Sequence, residues 1–224
     1  MIGIIGAMAV EVDAIKAIAK DIKTTTISNI DFIQGTINKK EVVIARCGIG
    51  KVFAGICAEI MILKFKPEYI LNVGVAGALS ENLDVASIAI SQSLVQHDMD
   101  TSPLGDPLGM ISGINVINIE ADKNIVKKIE AAVKEVGLKY EIGVIASGDQ
   151  FVNSKERKDW IKKQFNAIAC EMEGAAIAQV AYVNNVPFCV IRAISDKADG
   201  SSGVDFFEFT KIAVKNSVDV IKAL

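Results

Sequence analysis

The sequence predicts an α/β protein built on a mixed β-sheet, and three observations carry that prediction. Short apolar, β-branched runs recur between longer segments of helical periodicity, the alternation that builds layered α/β domains. The runs at 2–5 and 186–191 are apolar throughout, and those at 69–73 and 140–146 are apolar but for Asn72 and Glu141, as expected of strands covered on both faces. Residues 32–37 and 41–47, separated by Asn38-Lys39-Lys40, read as a hairpin, so part of the sheet is antiparallel.

Taken in order, the strand at 2–5 is closed by Gly6, and a helix follows over 9–20 with Glu11 in its first turn. A carboxylate there is favoured by the helix dipole, and it also lies over the mouth of the first strand. Gly48-Ile49-Gly50 opens a helix that runs through Phe65. The strand at 69–73 passes into Asn72-Val73-Gly74-Val75-Ala76-Gly77, whose glycines and small side chains leave room for a flat ligand. A long strand over 85–95 leads to an irregular segment, 96–113, that contains Pro103 and Pro107. Loops of that length are usually functional or lie at interfaces.

An amphipathic helix over 121–136 places Ile125, Ile129, Ala132, Val133 and Val136 on one face. The strand at 140–146 ends in Ser147-Gly148-Asp149-Gln150-Phe151-Val152, a polar tip beside an aromatic. A helix over 154–165 and a short strand at 167–170 bring the chain to Glu171-Met172-Glu173, followed by small residues that let a helix lie close to the sheet. Helical residues two apart do not share a face, so one glutamate at most is expected in a site and the other as a solvated or capping charge. The run at 186–191 then turns polar at Arg192, Ser195 and Asp196. The carboxyl ends of strands in open α/β sheets form the ligand crevice; a helix N-cap with an ordinary ion pair is the competing explanation. A last amphipathic helix, 206–224, has Phe206, Phe209, Ile212, Ala213 and Val220 as its inner residues.

Length and composition bound what this scaffold can do. The chain has 224 residues, enough for one large α/β domain over 1–224. No apolar run approaches the roughly 20 residues of a membrane span. The net charge is −3 with dispersed basic residues, which argues against a nucleic-acid partner. The opening MIGIIGAMAVEV lacks a basic n-region, and Cys47, Cys57, Cys170 and Cys189 form no CxxC pair, so a cytoplasmic protein with buried thiols is expected. His97 is the only histidine, which leaves no multi-histidine zinc site, and it reads as loop structure. GxGxxG, GxxxxGK[ST] and GxSxG do not occur.

Six segments in one order carry a resemblance: GIIGAM with Glu11 following, GIGKV at 48–52, NVGVAGAL at 72–79, SGDQFVN at 147–153, CEMEGAAIA at 170–178 and RAISDKAD at 192–199. Together they resemble the 5′-methylthioadenosine/S-adenosylhomocysteine nucleosidases of the purine nucleoside phosphorylase superfamily, essentially end to end. The resemblance implies a phosphorylase/hydrolase-like three-layer αβα sandwich with a central mixed sheet, a homodimer, no cofactor and no metal. It implies hydrolysis of an N-glycosidic bond to adenine and a 5-thio-substituted ribose. On this resemblance Asp196 is the general acid at adenine N7, Glu11 holds the attacking water, and Arg192 lies near that water. Glu173 binds the ribose hydroxyls with Met172 beside the sugar. Phe151 stacks on adenine, the main chain at Val152 reads its edge, and Ser195 supports Asp196. Met8, Ile49 and Phe206 surround the 5′ substituent, and Ala76, Gly77 and Ala198 complete the substrate pocket. Thr101 and Leu104 match a segment lent by the second subunit. Position 75 departs from the relatives that have serine near the water, since Val75 stands here.

The residue types suit the chemistry. Adenine is a poor anionic leaving group, so a proton delivered at N7 lowers the barrier, by about 10²–10⁴-fold for a positioned acid. The sugar becomes cationic as the bond loosens, and ionised Glu11 and Glu173 can stabilise that charge. Two alternatives stay open on sequence: a phosphorolytic relative, against which a carboxylate at Glu11 would repel phosphate, and a nucleoside-binding module without turnover. Substrate breadth among methylthioadenosine, S-adenosylhomocysteine, 5′-deoxyadenosine and futalosine-type nucleosides is also open.

Overall fold

The computed structural model describes residues 1–200 and 206–224, without the side chains at 206–208. In chain order the elements are β1 (Ile2–Gly6), α1 (Ala9–Lys16), β2 (Lys20–Ile27), β3 (Ile30–Ile37), β4 (Lys40–Arg46), α2 (Lys51–Phe65), β5 (Tyr69–Ala78), β6 (Ile88–Gln96), β7 (Ile119–Glu120), α3 (Lys123–Val136), β8 (Tyr140–Ser147), α4 (Lys155–Phe165), β9 (Ala167–Glu171), α5 (Gly174–Val183), β10 (Phe188–Asp196) and α6 (Phe206–Ala223). The strands form one mixed sheet in the order β10-β6-β8-β9-β5-β1-β4-β3-β2, with β7 on β6.

β5 organises this sheet because it is long enough to share one edge between two neighbours. Its first half pairs in parallel with β1 (Ile2 with Tyr69), and its end pairs antiparallel with β9 (Gly77 with Cys170). Its other edge pairs with β10 from Phe188–Ile70 to Asp196–Gly77. Since β10 also pairs with β6, strands β5, β10, β6, β8 and β9 close into a ring, and β1, β4, β3 and β2 extend from it as an open wing. Helices cover both faces: residues of α2 and α5 belong to one buried cluster, those of α1, α3 and α6 to another.

Several elements differ from the sequence expectation. The first helix stops at Lys16, short of residue 20, because the next residues join β2, which pairs antiparallel with β3 (Lys20 with Thr36). β2 is mostly exposed, so it lacks the apolar signature of a covered strand. β5 and β10 run further than 69–73 and 186–191, and the polar residues at their ends lie inside the strands. Glu171 closes β9 and Glu173 is the N-cap of α5, so the argument from helical spacing does not apply to this pair. Both are buried, and Glu171 is not a solvated charge. In α6 Ala213 and Val220 face inward, whereas Ile212 is exposed; the Phe206 side chain lies outside the described residues. The four cysteines are buried free thiols.

Candidate active site

One cavity, of about 210 Å³ and open to solvent at its mouth, lies where the ends of β1, β5, β8, β9 and β10 converge. A concave, mostly apolar site with a few convergent polar groups suits a small-molecule ligand. Its wall includes Met8, Glu11, Ile49, Ala76, Gly77, Phe151, Val152, Met172, Glu173 and Asp196, all expected from the sequence, together with Ala7, Val75, Gln150, Cys170 and Glu171. Arg192, Ser195 and Ala198 stand one layer behind. Ala198 was expected in the pocket wall, but its buried backbone turns back to serve Asp196.

Each carboxylate is held by a different device. Glu11 sits in the first turn of α1 and accepts from its own helix entrance, Ala7 N–H at 2.8 Å and Met8 N–H at 2.9 Å. Its second oxygen accepts from Val75 N–H at 3.2 Å on β5, which anchors the group across the gap between the two strands. The dipole explanation and the site explanation are therefore both realised. Burial raises the Glu11 pKa, against the opposing pull of these N–H groups and of the Arg192 charge.

Asp196 ends β10. One oxygen accepts from Ala198 N–H at 2.8 Å and the other from Ser195 Oγ at 2.9 Å. Glycines make room for both groups. A Cβ at Gly74 would stand 2.8 Å from Glu11 Oε1, and one at Gly77 would stand 3.0 Å from Asp196 Oδ1 and 2.8 Å from the Ala198 Cβ. The missing side chains at Gly74 and Gly77 thus admit the protein's own carboxylates, while Val75, Ala76 and Gly77 still line the cavity, where room for a ligand was expected.

Glu173 reaches toward Gly50, whose N–H donates to Oε1 at 2.8 Å. Burial, then the charge of Glu171, pushes its pKa up to about 7. Gly50 is tied to the opposite rim through Lys51. The Lys51 N–H donates to Asp149 at 2.7 Å, and its Nζ contacts Asp98 at 2.6 Å, which also accepts from Asp149 N–H at 2.9 Å. This lattice sets Ile49 and Phe151, each more than half exposed, on facing sides of the mouth. His97 is buried beside Gly148, with Nδ1 3.1 Å from Arg157 Nη2, consistent with its reading as structure.

Behind the wall, Arg192 contacts Glu171 and Asn72, and Asn72 donates to the Ile5 carbonyl at 2.9 Å. Ser147 Oγ donates to Glu171 and accepts from Ala175 N–H at 2.7 Å. Sequence reasoning gave no role to Asn72 or Ser147. A buried asparagine inside an otherwise apolar strand was the available signal, since such a group must find a partner.

The sequence profile of the phosphorylase superfamily matches residues 1–224. A 5′-methylthioadenosine/S-adenosylhomocysteine nucleosidase of Staphylococcus haemolyticus is 40% identical over 225 residues, covering 100% of this chain and 98% of that protein. Among solved structures, a Helicobacter pylori MTAN mutant with 5′-methylthioadenosine in the active site superposes with a TM-score of 0.94 at 38% identity, covering 99% of this chain and 96% of that one. A futalosine hydrolase, also of Helicobacter pylori, superposes with a TM-score of 0.94 at 37% identity over 99% and 95% of the two chains. The chain therefore belongs to the phosphorylase superfamily and, within it, to the 5′-methylthioadenosine/S-adenosylhomocysteine nucleosidase family.

Proposed function

We propose that the protein hydrolyses the N-glycosidic bond of 5′-methylthioadenosine and S-adenosylhomocysteine, releasing adenine and a 5-thio-substituted ribose. The observation that carries this reading is the convergence of Glu11, Glu173 and Asp196 on one cavity, each held by a separate set of donors. Asp196 protonates N7 as the bond to adenine breaks, and Ser195 and Ala198 keep its carboxyl in place. Glu173 accepts from the ribose hydroxyls, and Met172 packs on the sugar. Phe151 stacks on the base beside the main chain of Val152. Glu11 orients the water that attacks the cationic anomeric carbon, and its negative charge disfavours phosphate in that position. Arg192 lies near that water from behind the wall, and Val75 lacks the one hydroxyl contact that a serine at this position would offer it.

The 5′ substituent points past Met8 and Ile49, where a groove lined by Asp13, Lys16, Asp31, Arg46 and Phe53 continues the cavity. Residues 1–224 act as one catalytic unit and pair as a homodimer. Helix α2 supports the dimer, because it buries Ala54, Cys57, Ala58, Met61 and Ile62 yet also exposes Val52, Phe53, Ile56 and Leu63. A helix apolar on all sides calls for a second cover. Leu104, 85% exposed, is suited to reach a neighbour. Four buried, unpaired thiols fit a reducing cytoplasmic compartment.

Release of free base from methylthioadenosine, S-adenosylhomocysteine, 5′-deoxyadenosine and futalosine, with and without phosphate, tests the reading. Phosphate-independent cleavage of the first two is expected. A ribose 1-phosphate product, or turnover of futalosine alone, would overturn it.

A further inference from the structure

Glu173 occupies the N-cap position of α5 but makes no side-chain hydrogen bond to that helix. The N-cap is the position from which a side chain ordinarily serves the first N–H groups of a helix. The first N–H groups of a helix lack intrahelical partners, and a carboxylate at the cap normally folds back onto them. Here those donors are already occupied by other residues. Glu171 accepts from Glu173 N–H at 3.1 Å and from Gly174 N–H at 2.8 Å, and Ser147 accepts from Ala175 N–H at 2.7 Å.

A second competitor for Glu173 is removed by the same residue. Arg192 Nη2 stands 3.9 Å from Glu173, near enough to draw it out of the cavity. Glu171 and Asn72 hold that guanidinium instead, with the Arg192 and Glu171 side chains each 2% exposed. The helix makes no hydrogen bond to the Glu173 carboxylate, Arg192 reaches it only as an ion pair at 3.9 Å, beyond hydrogen-bond distance, and its hydrogen bond is to Gly50 at the cavity rim.

We propose that Glu171 is a positioning residue: it caps α5 in place of Glu173 and holds Arg192 away from it, leaving the Glu173 carboxylate free to enter the cavity. This rests on the reading of Glu173 as the ribose carboxylate. Glu171 itself touches no reacting atom. Its contribution is made through the direction and ionisation of its neighbour.

The test is a double-mutant cycle between Glu171→Gln and Glu173→Gln on methylthioadenosine, with pH profiles of kcat/KM. Glu171→Gln alone should lose about 10- to 100-fold in kcat/KM, the scale of a charge-assisted hydrogen bond. Added to Glu173→Gln, it should cost little more, because a residue that acts through another has nothing left to position. The acidic limb of the profile should also move to lower pH in Glu171→Gln, since a negative neighbour no longer opposes ionisation of Glu173. Losses that multiply, or an acidic limb that stays in place, would overturn the proposal. If circular dichroism shows Glu171→Gln unfolded, Ser147→Ala carries the same test. It removes one cap and one donor to Glu171, and it should give a smaller loss, again non-additive with Glu173→Gln. Near-native cleavage by Glu173→Gln alone would remove the ribose assignment and this inference with it, an outcome distinct from failure of the cycle.

Discussion

Arg192 pairs with Glu171 at the end of β9, while Glu173, two residues further on, stands 3.9 Å from the same guanidinium nitrogen. The pair is fully buried, and its desolvation is repaid only while both partners are present. Arg192→Met should therefore destabilise the protein by about 3–5 kcal/mol, the range for leaving one member of a buried pair uncompensated. Urea unfolding measures this. A loss below about 1 kcal/mol, the scale of a surface pair, would mean that Glu171 is neutralised by other means.

On the proposed role of Asp196 as the acid, Asp196→Asn keeps the shape of the β10 terminus and removes the acidic proton. It should lower kcat at least about 10²-fold while substrate binding stays near normal. Adenine release and calorimetric titration of the same variant separate the two quantities. Near-native turnover would move the acid to another residue.

Glu173→Gln should damage cleavage of a ribonucleoside far more than cleavage of its 2′-deoxy analogue, which lacks the partner hydroxyl. A buried group left unpaired costs about 1–3 kcal/mol. Equal fractional losses on the two substrates would show that Glu173 does not read the ribose.

The raised pKa of Glu173 also links stability to pH. In the folded protein it titrates at about 7 against an ordinary 4.5, so between those values the folded state holds a proton that the unfolded chain has released. Its contribution is fully present below 4.5 and is lost as pH rises through about 7. The Tm of the wild type relative to Glu173→Gln should therefore rise on acidification from neutral pH. A difference that is flat with pH would place this carboxylate in water.

Phe53→Glu puts a charge in the exposed apolar face of α2. Sedimentation should show a dimer for the wild type and a monomer for this variant. A dimer that persists would locate the contact elsewhere.

Much of the fold was readable because covered strands have no choice but apolar runs: β1, β8 and the start of β10 lie where such runs lie. β2 was hidden for the converse reason. As an exposed edge strand, KDIKTTTI has no need of a continuous apolar stretch, and Ala17-Ile18-Ala19 offers no helix stop before it. In the site, carboxylates at strand ends stood out against apolar surroundings. The position of Glu171 did not, because it depends on one residue of register: as the last residue of β9 it points inward to Arg192, whereas on a helix it could not have shared a face with Glu173.

The ring of strands has a kinetic consequence. Asp196 reaches its place only when β10, at residues 188–196, returns to β5 at residues 69–78, after most of the intervening chain has been laid down. Contacts so distant in sequence form slowly, since the loop entropy must be overcome before the pairing repays it. Local helices such as α3, with its own Asp122 cap, need no such closure. Recovery of cleavage after dilution from denaturant should therefore lag recovery of the helical signal, which makes cleavage a reporter for the last seam of the sheet.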